Sequence, residues 1–114
     1  SDLIAVEMKK FLGWYNNTTQ TLDPVLKAAI SHLWFITIHP FEDGNGRIAR
    51  ALTDQLLARA DGIPQRYYSM SSQIRVERKQ YYNTLEKTQQ GSLEITNWVV
   101  WFLQCLLNSL EASN

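Results

Sequence analysis

Twelve consecutive residues, His39-Pro40-Phe41-Glu42-Asp43-Gly44-Asn45-Gly46-Arg47-Ile48-Ala49-Arg50, concentrate the reactive side chains of this chain. They combine a titratable base, a carboxylate, a two-glycine turn and two arginines. A glycine turn that opens a helix presents backbone N–H groups at the positive end of the helix dipole, which favours a phosphate. Arg47 and Arg50, one and four places past Gly46, fall on one side of such a helix and can clamp further phosphate oxygens. Asp43 can offer hard oxygen to Mg²⁺, and the imidazole of His39 can take a proton near neutral pH. These residue types suit the cleavage of a nucleotide phosphoanhydride bond.

Such a stretch needs elements that hold it. Upstream, Asp2 is placed to cap a helix from about Leu3, with Ile4, Met8, Phe11, Leu12 and Tyr15 as its apolar stripe. Asn16-Asn17-Thr18-Thr19 ends that helix. Leu22-Asp23-Pro24 is a strong start signal, with Asp as N-cap and Pro at the first helical position. From Val25 to Ile38 the chain is apolar on most sides, which predicts a central helix that delivers His39 to its C-terminal end. Pro40 forces the chain out of the helix there.

Downstream, Arg47 to about Ala60 reads as a helix with Leu52, Leu56, Leu57 and Ala60 inward, stopped by Gly62 and Pro64. Tyr67 to Ser72 reads as a connection with some extended character. A further helix is expected from about Gln73 to Gln89, with Ile74, Tyr81, Tyr82 and Leu85 inward and Arg75, Glu77, Arg78 and Lys79 solvated. Thr96 is expected to cap a last helix carrying Trp98, Trp101, Phe102, Cys105, Leu106 and Leu110 inside. No alternating strand pattern, repeat or low-complexity tract occurs. The expectation is an all-α bundle of about five helices.

Composition narrows the functions. The chain has 114 residues, enough for one core and one domain, and its 11 basic and 11 acidic residues balance to zero. That balance argues against wholesale binding to nucleic acid or an anionic membrane. Cys105 is the single cysteine, so no internal disulfide forms, and its apolar neighbours predict a buried structural thiol. The Ile95–Leu110 region is too polar to span a bilayer, and no signal peptide is visible. A cytoplasmic setting is the expectation. Ser1 in place of Met leads us to expect a piece of a longer protein.

Blander readings of the motif fail. Gly44-Asn45-Gly46-Arg47-Ile48-Ala49 matches the dinucleotide fingerprint, but that fingerprint needs a preceding strand, and a helix precedes it here. The Walker pattern is absent, and no paired-histidine or multi-cysteine spacing suggests zinc. His32, on the apolar helix, is expected to be a satisfied core residue.

The stretch resembles the signature of the Fic family, H-P-F-x-[DE]-G-N-G-R-x-x-R, with every specified position present. Tyr81-Tyr82 resembles a tyrosine pair on a later helix of that family, so the likeness covers most of residues 1–114, read as a Fic domain core. The resemblance implies an all-α bundle with the signature loop between two central helices. It also implies transfer of AMP from ATP to a Ser, Thr or Tyr hydroxyl of a target protein. His39 would then be the general base, and Asp43 would hold Mg²⁺ at the α- and β-phosphates. Backbone N–H groups around Gly44, Asn45 and Gly46 would form the anion hole, with Arg47 on the β-phosphate and Arg50 on the γ-phosphate. Phe41 would pin the loop into the bundle, and Glu42 would be solvated. Tyr81, Tyr82 and Gln89 would lie near the base or ribose. Their alternative is ordinary packing for the tyrosines and an exposed helix end for Gln89. Many relatives carry Asn where Gln89 falls, a departure that bears on base selectivity.

Other outcomes stay open at this level. Phosphoryl transfer, as in the Doc branch, usually goes with a bulkier residue in place of Gly46. AMP removal by the same site, or a module that binds nucleotide or partner without chemistry, are further alternatives. The family's upstream β-hairpin flap and its inhibitory [ST]-x-x-x-E-[GN] helix have no counterpart in these residues. The expected partners are therefore a protein substrate, with self-modification as one possibility, and an inhibitory helix or antitoxin-like protein from elsewhere.

Overall fold

The strongest start signal, Asp23-Pro24, opens the helix around which the others gather. In the computed structural model, which describes residues 2–60, 70–91 and 94–112, helix α2 spans Pro24–Ile38. The Asp23 carboxylate accepts from the N–H groups of Val25 at 2.8 Å and Leu26 at 3.3 Å, while Pro24 has no N–H to satisfy. The other described helices are α1 (Asp2–Tyr15), α3 (Asn45–Ala58), α4 (Met70–Val76), α5 (Arg78–Gln90) and α6 (Thr96–Ala112). No strand occurs among the described residues, so the all-α expectation holds.

Helix α2 packs against α1, α3 and α6, as its apolar character on most sides demands. Helix α6 in turn packs on α4 and α5. The fully buried Trp98 indole donates to Ala29 O at 2.8 Å and so pins α6 to α2. On α1, Phe11 and Tyr15 are buried and Ile4 and Met8 half-buried. Leu12, expected on that stripe, is 46% exposed, because it stands one helical step away from the Phe11 direction. Helix α1 begins at Asp2 itself, so that carboxylate lies in the first turn, favourable to the dipole, and not at a cap position. The Lys27 ammonium is buried where α1 ends, donating to Tyr15 O at 2.9 Å and Asn17 O at 3.2 Å. It there supplies donors to carbonyls beyond the helix's own bonding.

Three further expectations are corrected, two of them by partners distant in sequence. The single helix expected from Gln73 to Gln89 is two helices, bent at Glu77 (φ −99°, ψ 27°). The Glu77 carboxylate accepts from Gln73 at 2.7 Å and from Asn108 of α6 at 3.0 Å, which ties the bend to α6. Within the expected connection from Tyr67 to Ser72, residues 70–72 are helical. Helix α4 starts there because Asp54 of α3 accepts the Met70 N–H at 3.2 Å. At α6 the capping group is the Glu94 carboxylate, which accepts the Thr96 N–H at 2.9 Å and its hydroxyl as well. Thr96 is the donor, not the cap. The Gly62 and Pro64 stop signals lie outside the described residues.

Cys105 is fully buried, and burial pushes its thiol up to about 12, so it is the structural thiol expected. No described helix is long and apolar enough to cross a membrane.

Candidate active site

The junction between α2 and α3 occupies residues 39–44. Helix α2 ends on His39, whose N–H donates to Phe35 O at 3.1 Å and whose backbone turns left-handed (φ 51°, ψ 59°). His39 is the only non-glycine residue with positive φ among the described residues. That conformation costs about 1–2 kcal/mol and swings the exposed side chain off the helix path.

Asn45, at the start of α3, closes the junction. Its Oδ1 accepts from Phe41 N–H at 3.0 Å, its Nδ2 donates to Phe41 O at 2.6 Å, and it is 4% exposed. These two bonds orient the amide, so the Nδ2 facing His39 Nε2 at 3.3 Å is a donor. His39 Nε2 must then carry a lone pair, with the ring proton on Nδ1. The contact is long, so the lone pair is positioned without being fully engaged. Phe41 itself is 50% exposed, which corrects its expected role: its backbone, through Asn45, anchors the loop. Glu42 is exposed, as expected.

Gly44 precedes α3 with φ 85°, a left-handed conformation in which other residues are strained. Its N–H donates to Asp43 Oδ1 at 2.9 Å, so this donor is already committed. The first helical N–H with an acceptor is Ile48, bonded to Gly44 O at 3.1 Å. The N–H groups of Asn45, Gly46 and Arg47 precede it, and such free donors at a helix start are able to bind an anion. A Cβ on Gly46 would stand 3.0 Å from Arg50 Nη1, so the guanidinium reaches back over this glycine. Arg47 is exposed and Arg50 half-buried.

Among the described residues no three His, Cys, Asp or Glu side chains cluster as a metal site. Asp43 nevertheless fits Mg²⁺ of one kind, since its Oδ1 is steadied by Gly44 and its Oδ2 makes no hydrogen bond. Mg²⁺ that arrives with a nucleotide needs only one or two carboxylates beside phosphates and water. A protein-only cage would need more.

His32 is a core residue, as expected. Thr53 donates its hydroxyl to Ala49 O at 2.8 Å, so it accepts from His32 Nδ1–H at 2.9 Å. His32 Nε2 then accepts from the Tyr81 hydroxyl at 2.6 Å. Burial, with a smaller contribution from Arg50, lowers the His32 pKa to about 3. Burial likewise raises that of Tyr81, against a smaller lowering by Arg50. The Tyr81 hydroxyl is thus engaged in the core, and its ring borders a cleft shared with Tyr82 and Arg50. Tyr82 is exposed. Gln89 lies further along α5, donating to Thr37 Oγ1 at 3.3 Å, close to the end of α2.

Residues 39–50 therefore come together as one junction, while Tyr81, Tyr82 and Gln89 are spread along α5. Two features escaped the sequence reading. The bidentate grip of Asn45 on Phe41 has a signal in the i, i+4 spacing. Arg75 and Arg78, exposed as expected, also border the same cleft as Arg50. The successive gaps from Arg75 to Arg78 to Tyr82 are three and four residues, a spacing that carries one side of the chain across the bend at Glu77.

The Fic/DOC family matches residues 2–57, which include the whole junction. The chain belongs to the Fic/DOC family. It is 35% identical over 109 residues to the protein adenylyltransferase Fic of Drosophila mojavensis, 95% of this chain and 20% of that protein. The Drosophila melanogaster protein of the same name gives the same identity and coverage. Protein adenylyltransferase fic-1 of Caenorhabditis elegans is 33% identical over 93 residues, 81% of this chain and 17% of that protein. The chain thus spans about a fifth of the length of these curated relatives.

Proposed function

We propose that this domain transfers AMP from ATP to a hydroxyl group of a target protein. The observation that carries the reading is the Asn45 clasp, which presents a lone pair on His39 Nε2 beside the unpaired N–H groups of α3. A hydroxyl oxygen would attack the α-phosphorus, the bond to the β-phosphate would break, and pyrophosphate would leave. His39 Nε2 would take the hydroxyl proton. The N–H groups of Asn45, Gly46 and Arg47, with the Arg47 and Arg50 side chains, would carry the phosphate charge. Mg²⁺ held by Asp43 and the phosphates would offset charge on the leaving pyrophosphate. Gly46 favours this chemistry over phosphoryl transfer, because a side chain there would meet Arg50.

The names of the relatives, protein adenylyltransferase Fic and fic-1, support the same reading. The test is incubation with ATP labelled at either the α- or the γ-phosphate, followed by mass spectrometry of target proteins and of the domain itself. Label retained from the α position, with a mass gain of one AMP, is expected. Retention from the γ position alone would overturn the proposal in favour of phosphoryl transfer.

A further inference from the structure

Beyond the junction, Arg50, Arg75 and Arg78 line a cleft of about 170 Å³ with Ile74, Tyr81 and Tyr82. Three helices contribute one guanidinium each. Among the described residues no acidic side chain lines the cleft, and the salt bridge between described residues, Lys10–Glu7, lies elsewhere. Glu77, the acid closest in sequence to both Arg75 and Arg78, turns its carboxylate to Gln73 and Asn108 instead. Arg78 also stands in the first turn of α5, where a cation opposes the helix dipole. Arg75 and Arg78 are exposed and Arg50 is half-buried, so solvent screens their mutual repulsion in part, and an anion in the cleft would offset what is left.

The size and charge of the cleft select the anion. Pockets for whole small molecules run to about 300–1,000 Å³, so 170 Å³ suits a phosphate group better than a nucleoside. A carboxylate brings one negative charge and a polyphosphate several. Guanidinium forks match phosphate oxygens in pairs. Tyr81, held by its bond to His32, makes a fixed wall, and Arg50 reaches from the cleft to Gly46 at the start of α3. Arg50 is thus the side chain shared between the cleft and the start of α3.

We propose that Arg75 and Arg78, together with Arg50, form a subsite for the far end of a polyphosphate chain whose near end lies at the N-terminus of α3. This rests on the reading of the α3 start as a phosphate site. The shared chemistry is a phosphate oxyanion, from either the nucleotide or a free polyphosphate.

Calorimetric titration of the purified protein with ATP, AMP and inorganic tripolyphosphate tests the subsite without any target protein, so a failure of AMP transfer leaves the result readable. The Arg75→Gln/Arg78→Gln variant is expected to bind tripolyphosphate and ATP at least ten-fold more weakly, with AMP affinity within two-fold of the parent. Its melting temperature without ligand should be equal or higher, since like-charge repulsion is relieved. Arg78→Lys, which keeps the charge and loses the fork, should fall between the two. Loss for both ligands assigns the subsite to the nucleotide, and loss for tripolyphosphate alone assigns it to a free polyphosphate. Either supports the subsite. Unchanged tripolyphosphate affinity in the double variant, an equal loss for AMP, or no tripolyphosphate binding by the parent would overturn it.

Discussion

His32 and His39 lie seven residues apart, one within α2 and the other at its C-terminal cap, and the fold puts them to opposite uses. His32 is completely buried, bonded through both ring nitrogens, and its pKa is lowered to about 3. His39 is exposed, sits on a left-handed backbone, and meets one amide at 3.3 Å. One imidazole is a neutral strut that joins α2, α3 and α5. The other stands exposed, with its Nε2 meeting only the Asn45 amide at 3.3 Å. The lesson concerns satisfaction: a ring whose nitrogens are both engaged in the core cannot exchange protons with a substrate, whereas a half-satisfied ring at a junction can.

The largest expected effect falls on the open partner. His39→Ala should lower AMP transfer by about 10²–10⁴-fold, read from α-labelled ATP, while leaving the melting temperature nearly unchanged. A variant that keeps full transfer would erase the contrast. His32→Leu should do the reverse, costing about 2–3 kcal/mol in urea unfolding because the buried Tyr81 hydroxyl loses its acceptor. Transfer at temperatures where that variant is folded should persist.

Acid separates the two rings next. In the folded state His32 stays neutral down to a pH of about 3, while in the unfolded chain it takes a proton near pH 6.5. The unfolded state thus binds more protons across that window. The stability contributed by neutral His32 is complete above about pH 6.5 and is lost progressively as pH falls toward 3. The slope should approach about 1.4 kcal/mol per pH unit and should vanish in His32→Leu, as measured by urea midpoints across pH. The smallest effect is at the turn. Gly44→Ala should cost about 1–2 kcal/mol of stability through its φ of 85°, since no neighbouring atom lies within 4 Å of the new Cβ.

How much of this was legible follows from where each interaction closes. Asp23-Pro24 and the glycine turn at Gly44 act within a few residues of themselves, so their consequences could be read directly. The burial of His32 was expected from its apolar helix, yet its partners Thr53 and Tyr81 were not, since they lie 21 and 49 residues away. The exposure of Phe41 was misjudged because an aromatic side chain in a loop suggests an anchor. Here the neighbouring amide of Asn45 holds the backbone instead.

What the residues determined alone is the chemistry of the junction: a base, a carboxylate, open N–H groups and two arginines within twelve positions of one helix–turn–helix. Helix caps and left-handed glycines depend on bonds spanning four residues or fewer, so local order suffices for them. The tertiary structure decided the bend at Glu77, the start of α4 under Asp54, and the meeting of Arg50, Arg75 and Arg78 around one cleft. Each of these joins separate helices, and packing alone sets which side chains face each other across such a gap.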